Sequence, residues 1–533
     1  MEMSSGESWW ILLLTLIPTS SPPSIATTLF SIAILSLLAW LVASLLYWAH
    51  PGGHAWGKIS SLNLSTIPGP RGFPLIGSIG LMSGLAHRHL AAAADRLEAR
   101  RLMSLSLGET RAVVASHPDV AKEILNSPAF AGRPHNYSAY GLMFHRAIGF
   151  APYGVYWRSL RRIAASHLFS PKQVEASAGH RTRVAVEMLA AVAASGGEPF
   201  RARRVIKRAS LDYIMRTVFG KEFGLCAAAT DGEAEELLAM VEEGYELLGE
   251  NNWSDHFPLL ASIDLQGIQA RCAKLMPKVN RFVNSIIHQH KSNTDPKDPK
   301  DFVDILLSLQ HSEGLSDSDI AAVLWEMIFR GTDAMAVLTE WTLARLVLHP
   351  DIQAKVHNEL DRVIGRSNPV KECDVLKLDF LQAVLKETLR MHPPGPLLAW
   401  RREAVSDTYV DGRFVPAKTT AIVNAWAIGR DADVWENPSR FWPERFLAGN
   451  GVDLSVLGGG TWLAPFGSGT RSCPGKGMAT AAVGFWLASL LHEYEWLPTP
   501  AAEGKGVDLS EVLRLSCEMA APLEARVRPR RHV

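Results

Sequence analysis

The sequence predicts a mainly α protein with small β-sheets, carried on an N-terminal transmembrane anchor helix. Three observations support this. Helical patterns dominate from about residue 85 onward, and strand-like pieces are short: Leu102 to Leu107, Arg111 to Ala115 and Thr420 to Asn424. Ile25 to Trp48 is apolar and uncharged, long enough as a helix to cross a hydrocarbon core of roughly 30 Å. No repeat is visible, and the one low-complexity linker is Ser292 to Asp301, so the chain reads as one large body behind its anchor.

Composition narrows the function. Hydrophobic residues make up 47% of the 533, enough for a large core. Lys+Arg and Asp+Glu balance at 54 each, which gives no reason to expect nucleic acid as a partner. The cysteines at 226, 272, 373, 473 and 517 are odd in number and lack C-x-x-C spacing. That pattern argues against a disulfide framework or a zinc site and for a reducing compartment.

The N-terminus divides into a short luminal segment (1–24), the anchor (25–48), and a linker with a Pro-rich hinge (49–72); the large body follows at 73–533. The earlier apolar run Trp9 to Ile17 is too short to span and ends at Pro18. A cleaved signal peptide is the competing reading, but it needs a basic start, and this one carries Glu2 and Glu7. Lys58, Arg71, Arg88, Arg96, Arg100 and Arg101 follow the anchor, so the positive-inside rule places the body in the cytosol. Ile67-Pro68-Gly69-Pro70-Arg71-Gly72 cannot continue a helix, because proline removes donors and biases the preceding residue toward extended backbone.

Within the body, Ser316 and Asp319 resemble a capping box opening a helix that runs to about Leu348, before His349-Pro350. Such a helix is about 45 Å long and, being apolar all round, must be buried. Glu387 and Arg390 share one face of the next predicted helix, Asp379 to Met391, and Pro443-Glu444-Arg445-Phe446 lies further on. Trp157 and Arg161 are i, i+4 on a basic helix; taken alone they fit a solvated amphipathic surface.

Phe466-Gly467-Ser468-Gly469-Thr470-Arg471-Ser472-Cys473-Pro474-Gly475 carries the most chemistry. Glycines let backbone close around a sulfur, and an arginine fork can hold a carboxylate. A buried inert thiol is the commoner fate of an intracellular cysteine. However, five fixed positions in F-x-x-G-x-R-x-C-x-G, each at roughly 5–7% usage, recur by chance once in ~10^6 windows.

This loop resembles the haem-binding signature of the cytochrome P450 superfamily at every fixed position, and the resemblance extends from Ile67 to the C-terminus. It implies haem b with Cys473 as the axial thiolate on iron, framed by Phe466, Gly467 and Gly475. Arg471, Trp157 and Arg161 are then expected at the haem propionates, and Glu387, Arg390 and Arg445 as a buried structural triad. The implied reaction is a monooxygenation using O2 and a lipophilic small molecule, with electrons from NADPH–cytochrome P450 reductase at the endoplasmic reticulum membrane. Asn252-Trp253-Ser254-Asp255-His256, Glu326-Met327-Ile328-Phe329-Arg330-Gly331-Thr332-Asp333 and Leu463-Ala464-Pro465-Phe466-Gly467 resemble the plant microsomal A-type branch linked to organ size and plastochron length. That branch implies fatty-acid-like hydroxylation.

One position departs from the family. The central helix should read A/G-G-x-D/E-T-T/S, and here it reads Arg330-Gly331-Thr332-Asp333-Ala334-Met335. Gly331 is expected to open the helix beside iron, and Asp333 to relay protons. Ala334 replaces the threonine hydroxyl, with Thr332 able to hold a substitute water if the helix bulges. Two alternatives stand beside the monooxygenase: a haem-thiolate isomerase or dehydratase acting on a peroxide without a reductase, and a non-catalytic haem-binding membrane protein. Arg330 is expected to face away from the haem into a structural ion pair, or else to meet a substrate carboxylate. The family topology places the substrate near residues 135–150, Val323 to Met335, Pro394 to Trp400, and Cys517 to Met519.

Overall fold

In the computed structural model, the helix Asp317–Leu348 runs 32 residues and is buried along most of its length. The Ser316 hydroxyl accepts the Asp319 N–H, and the Asp319 carboxylate accepts the Ser316 N–H, so the capping box forms as the sequence suggests. The helix stops where His349 leaves helical geometry and Pro350 opens the next helix, Pro350–Val363. Helix Ala202–Phe219 packs along this central helix, and helices Asp379–Met391 and Lys476–Glu493 also pack on it. Trp325, Trp341, Trp486 and Trp496 fill the core around it.

The structure describes residues 25–58, 66–224, 232–292, 301–447, 464–500 and 506–530. The segment 1–24 with its apolar run at 9–17, part of the 49–72 linker, and most of the 292–301 linker lie outside the described residues.

The strands are short, as expected. Met103–Leu107, Thr110–Ala115, Thr420–Val423 and Arg402–Glu403 lie side by side in that order as a four-stranded sheet. Thr110–Ala115 runs parallel to Thr420–Val423, with Ala112 opposite Thr420, and Arg402 pairs antiparallel with Ala421. A small hairpin, Glu511–Leu513 with Cys517–Met519, pairs Cys517 with Leu513 and leaves 514–516 as its turn.

Ile25–Trp48 is a continuous helix whose large apolar side chains are exposed, and Thr28–Trp48 has a mean hydropathy of 2.5. Its end is tied to the body. The Trp48 indole donates to Gly72 O at 2.8 Å, and the Trp56 indole to Leu105 O at 3.0 Å. The hinge lies flat on the first strand: Ser104 N–H bonds Pro68 O, and a Cβ on Gly69 would sit 1.8 Å from Ser104 O. Glycine is required there by close approach alone.

Candidate haem-thiolate site

Cys473 stands at the end of a loop built by two left-handed glycines. Gly467 has φ +66° and Gly469 φ +67°, and a Cβ on Gly469 would meet Leu125 O at 2.2 Å. The loop closes on itself: the Cys473 N–H donates to Phe466 O at 2.8 Å, and the Gly467 N–H to Ala464 O at 3.0 Å. Gly475 precedes helix Lys476–Glu493, and a Cβ there would come within 3.2 Å of the Phe169 ring. Burial pushes the Cys473 thiol up, while the Gly475 N–H and the Arg330 and Arg161 charges favour its thiolate.

The thiol faces a cavity bounded on the other side by Gly331, Ala334 and Met335 of the central helix. Leu389, Leu397, Leu398, Val483 and Leu515 make most of the remaining wall apolar. Cys517 is not part of this wall. It lies with His87 around Glu511, whose carboxylate is already taken by Arg88 at 2.7 Å, His87 at 3.3 Å and His392 at 3.4 Å. Burial also pushes the Cys517 thiol up.

Four guanidiniums converge on one side of the cavity. Arg161 comes from helix Val155–His167, Arg471 from the cysteine loop, Arg402 from the edge strand, and Arg133 from the segment before residue 149. Burial, followed by the neighbouring guanidiniums, holds Arg471 down to about 9 and Arg402 to about 10, and lowers Arg133 well below the usual range. Their hydrogen bonds go to backbone carbonyls: Arg471 to Ala131 and Ala151, Arg402 to Ser468, and Arg133 to Gly149, Trp400 and Arg401. Arg402 Nη1 and Arg471 Nη1 are buried with no partner. Clustered buried cations with orphaned donors fit a dianionic ligand, and the two propionates of haem supply that charge.

Arg133 and Arg402 were not singled out from sequence. Neither sits in a motif, and only the fold brings them within reach of Arg161 and Arg471. Trp157 is buried, but its indole N–H donates to Ile148 O at 2.8 Å, and its ring lies under the Arg471 guanidinium at 4.3 Å. It supports the arginine instead of offering a free donor. Arg162 pairs with Glu313 at 2.8 Å.

The central helix brings Gly331 and Ala334 to the cavity as expected, and departs from the expectation at Thr332 and Arg330. Thr332 does not face the cavity: its hydroxyl donates to Ile328 O one turn back at 2.7 Å, in an unbroken α-helix with no bulge. The Gly331 Cβ position points at Ile214 Cδ1, 2.5 Å away, so its smallness serves the close crossing of helix Ala202–Phe219. Asp333 is buried, with the Lys207 ammonium 3.8 Å away; burial pushes its carboxyl up and Lys207 opposes that. Arg330 enters no ion pair in the described residues. It borders the cavity over the Trp400 ring at 5.7 Å, which corrects the expectation that it turns away. Glu326, one turn earlier, accepts the Gly149 N–H at 2.8 Å, and burial pushes its carboxyl up to about 7. The hairpin contributes Leu515 and Ser516 of its turn, and not Cys517 to Met519, which are held in the strand pairing.

Behind the loop, Glu387 is fully buried between two arginines. Arg390 meets both carboxylate oxygens at 2.8 Å, Arg445 approaches at 3.3 Å, and the Trp442 N–H adds a third donor at 2.8 Å.

A cysteine thiol opposed to an apolar cavity and flanked by unopposed arginines defines the class of haem-thiolate proteins. The chain belongs to the cytochrome P450 family, whose model, described as Cytochrome P450, matches residues 67–516. It is similar to Cytochrome P450 78A9 of Arabidopsis thaliana, with 59% identity over 506 residues, 93% of this chain and 94% of that protein. It is similar also to Cytochrome P450 78A3 of Glycine max, with 56% identity over 495 residues, 92% of this chain and 94% of that one. The Flavonoid 3'-monooxygenase of Arabidopsis thaliana is 34% identical over 475 residues, 87% of this chain and 91% of that protein. The protein is therefore a P450 monooxygenase, using haem with a cysteine thiolate ligand, O2, a redox partner and a small-molecule substrate.

Proposed function

We propose that this enzyme inserts one oxygen atom of O2 into a lipophilic, fatty-acid-like substrate, with electrons from NADPH–cytochrome P450 reductase, in the control of plant organ growth. The observation that carries the reading is Cys473 facing an apolar cavity across from Ala334. Haem bound there supplies the oxygen chemistry. Cys473 would hold it from the loop side, Arg133, Arg161, Arg402 and Arg471 would meet its carboxylates, and the apolar wall excludes water and suits an apolar chain.

The reading also places the enzyme on the endoplasmic reticulum with its body in the cytosol. The exposed apolar helix, and the basic residues after it, support that placement. The loop with exposed Trp253, Leu259, Ile263 and Leu265, joined to the 103–115 strand pair by the Glu109 N–H bond to His256 O, adds an apolar surface suited to membrane contact.

The test is turnover of microsomal lipid extract under isotopically labelled dioxygen. Label should enter one product only when NADPH and reductase are both present. Peroxide rearrangement without NADPH would instead favour the isomerase reading.

Two further outcomes are expected. Arg402→Leu removes a charge-assisted contact worth about 1.5–3 kcal/mol. It should speed haem transfer to apomyoglobin without altering the thiolate-type spectrum. Ala334→Thr restores a hydroxyl to the cavity wall: a rise in product formed per NADPH consumed marks proton delivery as limiting, and unchanged coupling with good wild-type turnover marks a water or the substrate as already supplying the hydroxyl.

A further inference from the structure

Six arginines line the haem cavity, and Glu326 is the only carboxylate among the described lining residues. Four of the six, Arg133, Arg161, Arg402 and Arg471, converge where two propionates would balance them. Arg330 and Arg401 remain. Arg401 also borders a second pocket, alongside Asp255, whereas Arg330 borders the first cavity and not the second. Arg330 projects from the middle of the 32-residue central helix and makes no hydrogen bond or ion pair among the described residues. Glu326 stands one turn before it, yet the two do not pair. The Glu326 Oε1 accepts the Gly149 N–H at 2.8 Å, and burial favours the neutral acid, which weakens its hold on a neighbouring charge. The Arg330 guanidinium lies instead over the Trp400 ring, 5.7 Å from its centroid.

Trp400 is itself held in a demanding conformation. Leu398 and Ala399 before it both adopt left-handed backbone, with φ +54° and +47°, a region that residues other than glycine rarely occupy. Arg133 donates to Trp400 O at 2.7 Å and to Gly149 O at 2.9 Å, fixing the two backbone segments against each other. Phe150 packs edge-on against the Trp400 ring, with centroids 5.1 Å apart. Gly149 makes room for this arrangement: a Cβ there would come within 2.9 Å of Trp400 Nε1 and 2.4 Å of Glu326 Oε1. Trp400 lines the cavity, and its indole N–H donates to nothing among the described residues. Backbone strain persists only where the surroundings hold it, and here it places an indole with a free N–H beneath an unpaired guanidinium.

We infer that Arg330 and the Trp400 indole N–H seat the carboxylate of the substrate, and that this seat sets which carbon is oxidised. Charge and donors both fit. A carboxylate can take a guanidinium and a further N–H, while an alcohol or an ester leaves the cation unpaired. Position follows from the helix. Arg330 comes four residues before Ala334, about 6 Å along the axis, and its side chain leans toward the helix N-terminus, away from Ala334. The carboxylate end therefore sits about a helical turn or more from the point opposite Cys473, out of reach for the carbon next to it. The seat rests on the monooxygenase reading of the same cavity, and it adds a polar anchor to the apolar wall.

The experiment uses the full chain with haem in lipid nanodiscs, titrated with decanoic, dodecanoic and hexadecanoic acids and with their methyl esters. The first readout is the Soret shift on binding. The wild type should bind at least one acid about tenfold more tightly than its ester, the scale of one charge-assisted contact. Arg330→Leu should bring the two within about twofold of each other by weakening the acid alone, and Arg330→Lys should keep part of the preference. Trp400→Phe keeps a ring under the guanidinium, loses the N–H, and should weaken the acid severalfold with the ester unchanged. Arg401→Leu should keep the wild-type preference. Arg330→Leu should leave the rate of haem transfer to apomyoglobin unchanged, unlike Arg402→Leu. With NADPH and reductase, wild-type products should carry hydroxyl in a narrow set of positions away from the carboxyl, and Arg330→Leu should widen that set. No acid preferred over its ester, a preference that survives Arg330→Leu, or a loss confined to Arg401→Leu overturns the proposal. Faster haem transfer in Arg330→Leu assigns the guanidinium to the propionates and overturns it as well. A wild-type acid affinity in Trp400→Phe removes the indole from the seat, and oxidation at the carbon next to the carboxyl overturns the positional half. Absence of a thiolate-type spectrum in the wild-type chain would remove the haem reading instead, which keeps the two failures apart.

Discussion

Cys473→Ser is expected to abolish the red-shifted Soret band of the reduced carbon monoxide complex and to reduce monooxygenase turnover to background. The substitution changes one atom, so folding of the loop is a minor concern. The Gly467 and Gly469 turns, and the Cys473 N–H bond to Phe466 O, do not involve the sulfur. What changes is the donor. A thiol that burial holds protonated in the free chain becomes a thiolate once a cation coordinates it. The Gly475 N–H and the Arg330 and Arg161 charges then stabilise the sulfur's charge without neutralising it. A serine hydroxyl is far less acidic and does not provide the electron donation that favours O–O cleavage. The matched control is Cys517→Ser, whose thiol sits in the Glu511 network, outside the cavity wall. It should leave the band intact. A thiolate-type band surviving in Cys473→Ser would move the iron ligand elsewhere.

The contrast between these two cysteines also shows what the sequence could reveal. The Cys473 loop was legible because its chemistry is local: glycine, arginine and cysteine within ten residues fix their own geometry. The central helix was legible for the same reason, through its Ser316–Asp319 cap and its unbroken apolar surface. Arg133 and Arg402 were not, because their meaning lies in convergence, and a buried arginine in a strand or loop looks like any other until its neighbours are placed. Within the motif at 330–335, only Thr332 and Arg330 depart from the sequence reading, for a physical reason. Each step along a helix turns the side chain about 100°, so adjacent residues cannot all face one cavity. Ala334 and Arg330, four apart, share the cavity face. Thr332 and the Gly331 Cβ position fall on the sides that meet the helix's own backbone and Ile214. The hairpin's share of the wall was less legible: nothing in Leu515-Ser516-Cys517 announces that the turn lines the cavity.

Glu387→Gln is expected to destabilise the folded body by about 3–5 kcal/mol, a large share of the roughly 5–15 kcal/mol that holds a typical domain folded. The side chain keeps its shape and loses its charge. Glu387 lies between Arg390 and Arg445, with side-chain exposures of 0%, 0% and 5%, so no water can screen what remains. An amide offers one acceptor oxygen where the carboxylate offers two, and turns two N–H groups toward Arg390 or Arg445, whose nearby atoms are themselves donors. Two buried cations then share one amide oxygen besides their backbone carbonyls: Gly429, Pro438 and Arg440 for Arg390, and Glu436 and Asn437 for Arg445. Those carbonyls belong to the irregular segment between residues 429 and 440, which depends on the arginines for its conformation. Loss should therefore appear first as faster haem release and a broadened denaturation transition, because this segment lies between the helix Asp379–Met391 and the cysteine loop. The measurement is a chemical denaturation midpoint followed by both haem absorbance and far-UV dichroism. Glu524→Gln supplies the contrast: it breaks an exposed pair with Arg201 at 3.0 Å, with side-chain exposures of 48% and 81%. Solvent already screens that pair, and its removal should change stability by no more than about 0.5 kcal/mol. Equal midpoints for the two variants would mean that the buried carboxylate contributes no more than a surface charge, and the meander would then have to be held by its apolar contacts around Trp435 and Phe446.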